Sequence, residues 1–212
     1  MEALLAVLPL SLSSGINLYL TVLALGIADR AEVVTLPPGL DIAGSVPVLA
    51  VAGLMTLVEF FADKIPYVDS AWDAAHTFIR PLGAVVIALN LIPAEQGELT
   101  AAFALLAGTT ALTAHSGKAS LRALVNTSPE PVSNSVVSVA EDASVIGLLA
   151  LAATFPFIAA VVGGVVLVGI IIGLVFVFRW ASQAFGSVWA FLRGQGRVGR
   201  DPRREQVPRR RV

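Results

Sequence analysis

The chain has 212 residues, of which 56% are hydrophobic and 14% charged, against about 25% charged in a typical soluble domain. With a mean hydropathy of +0.82, that composition excludes an ordinary water-soluble globule; the absence of cysteine excludes disulfides, thiolate metal sites and cysteine nucleophiles. The formal charge of -1 conceals an uneven distribution, since residues 1–192 hold 6 Lys and Arg against 13 Asp and Glu, whereas residues 193–212 hold 8 Arg against 2 acids.

The first apolar run, Ala3 to Ala28, is interrupted by Ser11-Leu12-Ser13-Ser14-Gly15-Ile16-Asn17. Its start carries Glu2 and no Lys or Arg, and the apolar pattern resumes at Leu18, so it reads as a broken span rather than a cleaved signal. Ser45 to Ala62, Tyr67 to Leu91 with Pro81 in its middle, and Leu99 to Leu124 follow as further spans. Ala143 to Phe178 holds no charge across 36 positions, too long for one crossing of about 20 residues. A turn at Phe155-Pro156 divides it into Val132 to Phe155 and Pro156 to Arg179. The expected fold is therefore an all-α polytopic transmembrane helix bundle of about six spans, some broken or re-entrant, over residues 1–179.

Trp180, Phe185, Trp189 and Leu192 then recur at roughly helical spacing and predict an interfacial amphipathic helix over residues 180–193. Residues 194–212 read as a disordered basic cytoplasmic tail, either touching anionic lipid or simply solvated. No aromatic residues interleave with its arginines, so nucleic acid is not an expected partner. Lys64, Lys118, Arg122 and this tail fall on one side of the six spans, and only Arg30 falls on the other, beside Asp29, Glu32, Asp41, Glu95 and Glu98. That bias places both termini in the cytoplasm, with a bacterial-type inner or plasma membrane as the expected setting.

Charges at bilayer depth are costly and face a cavity or each other. One sector runs from Glu59 to Pro81. Glu59 and Asp63 are four apart, and Asp69, Asp73, His76 and Arg80 follow at steps of four, three and four, so each set shares a helical face, with Lys64 between them. Ala71, Ala74, Ala75 and Phe78 occupy the opposite face. Three uses of this stripe stay open: internal pairing of Asp73 with His76 or Arg80 and of Glu59 or Asp63 with Lys64; handling of a solute, ion or proton; and a metal site from Asp69, Asp73 and His76, a weak ligand set with one histidine. In the second sector His115, Lys118 and Arg122 share a face, the Asn126–Pro131 turn cannot continue a helix, and Ser133 or Asn134 can cap the next helix, whose Ser138, Glu141 and Asp142 point back toward the same end. This sector is either an ion site at a helix tip or a capped cytoplasmic turn. Gly169 and Gly173 suit close helix packing, and no nucleotide-binding or hydrolase motif is present.

The runs Ser14-Gly15-Ile16-Asn17-Leu18-Tyr19-Leu20, Glu59 to Pro81 and Asn126 to Asp142 resemble the integral-membrane family catalogued as domain of unknown function 4126, over roughly residues 10 to 175. The resemblance implies a small integral membrane protein and no particular activity. The matching positions are Gly15, Glu59, Asp63, Lys64, Pro66, Asp69, Asp73, Arg80, Lys118, Asn126, Pro129, Asn134, Glu141 and Asp142.

The expected function is a transporter or channel for a small solute or ion, with a cytoplasm-facing polar cleft built by the two sectors and the break at Ser13 to Asn17. Counting Glu59, Asp63, Asp69, Asp73, Glu130, Glu141 and Asp142 against Lys64, Arg80, Lys118 and Arg122 leaves an acidic excess, which favours a cation or proton. The four bases keep a phosphate-bearing solute or lipid headgroup open. Glu59, Asp73 and Glu141 or Asp142 are the expected acceptors, with Lys64 and Arg80 as counter-charges. A membrane scaffold with internally paired charges and an intramembrane lipid enzyme using His76 or His115 are the alternatives. No cofactor is expected; the expected partners are membrane lipid, the solute or ion, and a second copy of the chain in a homodimer.

Overall fold

Backbone N–H and C=O groups find no water in hydrocarbon, so a spanning chain must bond them within its own helices. In the computed structural model, which describes residues 2–92, 97–127 and 131–192, all regular structure is helical. The expected basic tail, Glu95 and Glu130 lie outside the described residues. Helix α1 covers Glu2–Ile16, α2 Leu18–Arg30, α3 Val46–Ala62, α4 Val68–Leu91, α5 Gly97–Val125, α6 Pro131–Thr154 and α7 Pro156–Leu192, with a short 3-10 turn at Asp41–Gly44 before α3.

Segments of α4, α5, α6 and α7, namely Val68–Leu91, Gly97–Val125, Val132–Thr154 and Pro156–Gly186, are long and apolar enough to cross a membrane. The other two expected spans are shorter. Helix α3 has 17 residues, and the first apolar run is two helices of 15 and 13 residues, each below the about 20 needed for a crossing. Helix α7 runs without interruption through Arg179 to Leu192, so the residues of the expected interfacial helix continue the helix of the last span. The described residues fall into two units, one ending at Leu174 and one beginning at Val175. Within the second, Phe185 and Trp189 stack with ring centroids 6.4 Å apart, the spacing of one helical turn.

Asn17 makes the break between α1 and α2. Its backbone is extended (φ -149°, ψ 98°), its side-chain oxygen accepts from the Leu20 amide at 2.9 Å, and its carbonyl accepts from the Thr21 amide and hydroxyl at 3.1 and 2.8 Å. This is an N-cap inside an apolar run, and it leaves the last carbonyls of α1 outside any helical ladder. Between α3 and α4 the chain turns in five residues, with Tyr67 left-handed at φ 69°, a strained conformation for a bulky residue. The turn sets Asp63 at the end of α3 and Asp69 in the first turn of α4.

Helices α4 and α5 form the most extensive pair, and α1 lies against α5, α4 and α6. Alanines permit the close approach: Ala84 and Ala88 of α4 and Ala107 and Ala111 of α5 belong to the apolar core with Val7 and Leu10. Gly15 is required there, since a Cβ on it would meet the carbonyl oxygen of Ala111 and stand 2.7 Å from the Ala114 Cβ. The radial order of polarity is the reverse of a soluble protein. On α4, Phe78 is 76% exposed while Arg80, two residues on, is fully buried, as expected where the outer solvent is lipid.

Candidate functional site

One face of α4 is buried along its length, through Asp69, Asp73, His76, Arg80, Ala84, Ile87 and Leu91. Its charged half meets α5, whose Lys118 and Arg122 lie one turn apart, the end of α3, with Glu59 and Asp63, and Glu141 of α6. The two polar sectors therefore form one ion-pair network. Lys118 is its centre: its ammonium lies 2.8 Å from Asp63 Oδ2, 3.1 Å from Glu59 Oε1, 3.8 Å from Glu141 Oε2 and 4.0 Å from Asp73 Oδ1. Arg80 flanks it, 2.6 Å from Glu59 Oε1 and 3.1 Å from Asp73 Oδ1. Arg122 closes the other end, 2.6 Å from Glu141 Oε2 and 3.2 Å from Asp63 Oδ2, and donates to the Asp63 carbonyl at 2.6 Å. That last bond satisfies an orphan carbonyl at the end of α3 with a cation, where the helix dipole favours one.

The break at Asn17 enters the same network. Arg80 donates to the Gly15 carbonyl at 3.4 Å and Lys118 to the Ile16 carbonyl at 3.3 Å, so two buried cations sit at the negative end of α1. The Asn17 side-chain amide donates to Asp142 Oδ1 at 3.1 Å, tying the break to α6. Each residue here works twice: Asn17 caps one helix and holds another, and Gly15 supplies both the contact with α5 and an acceptor for Arg80.

Its partners hold His115 in a neutral form. Arg80 Nη1 lies 2.8 Å from His115 Nδ1; a guanidinium only donates, so Nδ1 carries the lone pair and Nε2 the proton, 3.3 Å from the Thr77 hydroxyl. His76 has Nδ1 2.8 Å from the Trp72 carbonyl and Nε2 2.9 Å from the Tyr19 hydroxyl. Nδ1 therefore donates to the Trp72 carbonyl, and the ring is held between Trp72 and Tyr19.

Asp69 belongs to a separate cluster. Both its oxygens accept from the Asn126 amide, at 2.9 and 3.0 Å, and Oδ1 also accepts from the Ser70 amide at 2.6 Å. Asn134 donates to Asn126 Oδ1 at 3.1 Å. A carboxylate at a helix N-terminus with this many donors is stabilised without a cation.

Several expected pairings are corrected. Glu59 and Asp63 pair with Lys118 and not Lys64, whose ammonium instead donates to the Phe60 carbonyl at 3.0 Å and to Ser138 Oγ at 3.3 Å and covers the Phe60 ring. Lys64 stays at the chain's turn because Lys118, on a neighbouring helix, reaches both acids at once. The expected Asp73–His76 pair gives way to Tyr19 and Trp72 on His76, while the Asp73–Arg80 pair is present. Asp69, Asp73 and His76 do not converge, and no group of three His, Asp or Glu that could hold a metal ion occurs among the described residues. Residues missed as candidates are Tyr19, Trp72 and Thr77, whose sequence context carries no readable signal.

The family model described as Domain of unknown function (DUF4126) matches residues 4–176, and the chain belongs to that family. No curated protein and no solved structure matches it.

Proposed function

We propose that this member of the DUF4126 family is a small polytopic transporter or channel that handles a small solute or ion, with a cation or proton favoured, at the polar centre where α1 breaks. The observation that carries the reading is the meeting of that break with buried charge: the freed Gly15 and Ile16 carbonyls bond Arg80 and Lys118, which also hold Glu59 and Asp73. Interrupted helices whose ends face charged groups at membrane depth are a recurrent way of building an ion or solute site. The side chain of Glu141 is 12% exposed and that of Glu59 1%, so access is from the Glu141 and Asp142 side, which the distribution of Lys and Arg assigns to the cytoplasm together with both termini. A homodimer gives the short helices further protein to pack against, and lipid surrounds the remainder. No enzymatic role is proposed, since both histidines are held in fixed hydrogen bonds.

The test is solute, cation and proton flux in proteoliposomes with folded Glu59→Gln and Asp73→Asn variants. Loss of flux in both is the expected result, and flux equal to that of the parent chain overturns the assignment. A membrane scaffold is the second reading, favoured by the one-to-one match of Arg80 with Glu59 and Arg122 with Glu141. It requires that Glu59→Gln with Arg80→Gln is tolerated where either single change is not, with no flux in any of the proteins.

A further inference from the structure

Three hydrogen-bonded couples in the network match one cation to one carboxylate: Arg80 with Glu59 at 2.6 Å, Lys118 with Asp63 at 2.8 Å and Arg122 with Glu141 at 2.6 Å. Asp73 is a fourth carboxylate with no cation of its own. Its Oδ1 stands 3.1 Å from the same Arg80 Nη2 that bonds Glu59, and 4.0 Å from Lys118. Neither of its oxygens has a hydrogen-bond partner among the described residues, and the residue is 2% exposed. Asp69, equally buried, differs in holding donors on both oxygens.

No other base answers this charge. Helix α3 presents Glu59 and Asp63, and α5 presents Lys118 and Arg122, already matched, with His115 neutral against Arg80. Helix α6 presents Glu141, matched to Arg122, and Asp142, which accepts from Asn17 and acts on Lys64. On α4 itself His76 is held by the Trp72 carbonyl and by Tyr19 of α2 and makes no ion pair with Asp73 among the described residues, and Arg80 is committed to Glu59. An additional uncompensated anion at this depth is strongly disfavoured.

We propose that Asp73 carries a proton in this conformation and is the group through which the network takes up and releases one proton per chain. With the proton present the network is neutral. When it passes from the Asp73 carboxyl to water, the network becomes -1, and the new carboxylate draws Arg80 from Glu59, leaving Glu59 held by Lys118 alone and open to an incoming cation. The role of this proton in transport rests on the function proposed above; its residence on Asp73 does not.

Infrared difference spectra of the full chain in lipid nanodiscs, recorded between neutral and alkaline pH, test the residence directly. A protonated-carboxyl band is expected to disappear on alkalinisation, to shift with 13C-aspartate labelling but not 13C-glutamate labelling, to persist in Asp69→Asn and to be absent in Asp73→Asn. If Asp73→Asn does not fold, Asp73→Glu replaces it, and the band must then follow the glutamate label. No such band, a band insensitive to the aspartate label, or an undiminished band in Asp73→Asn overturns the assignment. A labile Asp73 proton in a chain without flux removes the transport reading alone, and flux without the band removes this inference alone.

Discussion

Lys118 on α5 and Asp63 at the end of α3 are 55 residues apart in sequence and joined at 2.8 Å, both side chains 2% exposed. Because Lys118 also reaches Glu59 at 3.1 Å, removing its charge leaves two carboxylates facing each other without their shared cation. Lys118→Met is expected to destabilise the chain by about 3–5 kcal/mol, the usual cost of breaking a buried pair from one side. Combining it with Asp63→Asn recovers part of that loss. Thermal unfolding in detergent of the single and double variants measures both, and a Lys118→Met protein as stable as the parent contradicts the arrangement.

Gly15 lies against the backbone of Ala111, where a Cβ has no room. Gly15→Ala must therefore push α1 from α5 or unwind its last turn, lengthening the bonds from Arg80 and Lys118 to the Gly15 and Ile16 carbonyls. The expected loss is about 1–3 kcal/mol, as for other overpacked sites, read as a lower unfolding midpoint. Ala at the more open Gly147, with nothing within 4 Å, serves as the control and leaves the midpoint unchanged or raised.

Asn17 caps α2 through Leu20 and donates to Asp142. Asn17→Ala loses both bonds, with an expected cost of about 0.5–2 kcal/mol from the cap alone. Asn17→Asp keeps the capping oxygen but turns the other bond into a carboxylate–carboxylate contact. Its unfolding midpoint is expected to rise relative to the parent as pH falls, when one of the two acids takes up a proton and restores a hydrogen bond. A pH-independent difference between the two proteins would show that Asn17 and Asp142 do not meet.

Lys64 sits in the turn between α3 and α4, outside the candidate spans. Burial pushes its ammonium below the ordinary lysine value of 10.5, a shift that Asp142 and Asp63 oppose and Arg122 reinforces. The folded chain thus holds this proton less tightly than the unfolded chain, and stability contributed by Lys64 rises as pH climbs from the lowered folded value toward 10.5. Unfolding midpoints of the parent and Lys64→Met across the alkaline range check the sign. The parent is expected to gain on the variant, and parallel curves contradict the shift.

The helices themselves are largely legible in the amino-acid order. The charge-free stretch from Ala143 to Phe178 demands a turn, and α6 and α7 part at Phe155 as the proline after it requires. The four-and-three spacing of Asp69, Asp73, His76 and Arg80 identifies the buried face of α4, and the exposed Ala71, Ala74, Ala75 and Phe78 lie opposite. The first span is readable as interrupted, but not as two helices joined through one extended residue, because the hydropathy of a run carries no record of its backbone angles. The extent of α7 escapes for a related reason: a charged Arg179 ends an apolar run without ending a helix.

Periodicity within a helix determines which residues share a face, and composition determines that the surroundings are apolar; both are local properties that the amino-acid order carries alone. Partner choice is not local. Lys64, adjacent to Asp63 in sequence, is the natural counter-charge, yet Lys118 takes that place across 55 and 59 residues, because only the crossing of α3, α4 and α5 decides which ammonium reaches two acids together. The same crossing leaves Asp73 without a cation of its own, since the number of bases brought to a buried centre is set by tertiary geometry and not by the charge count of the chain.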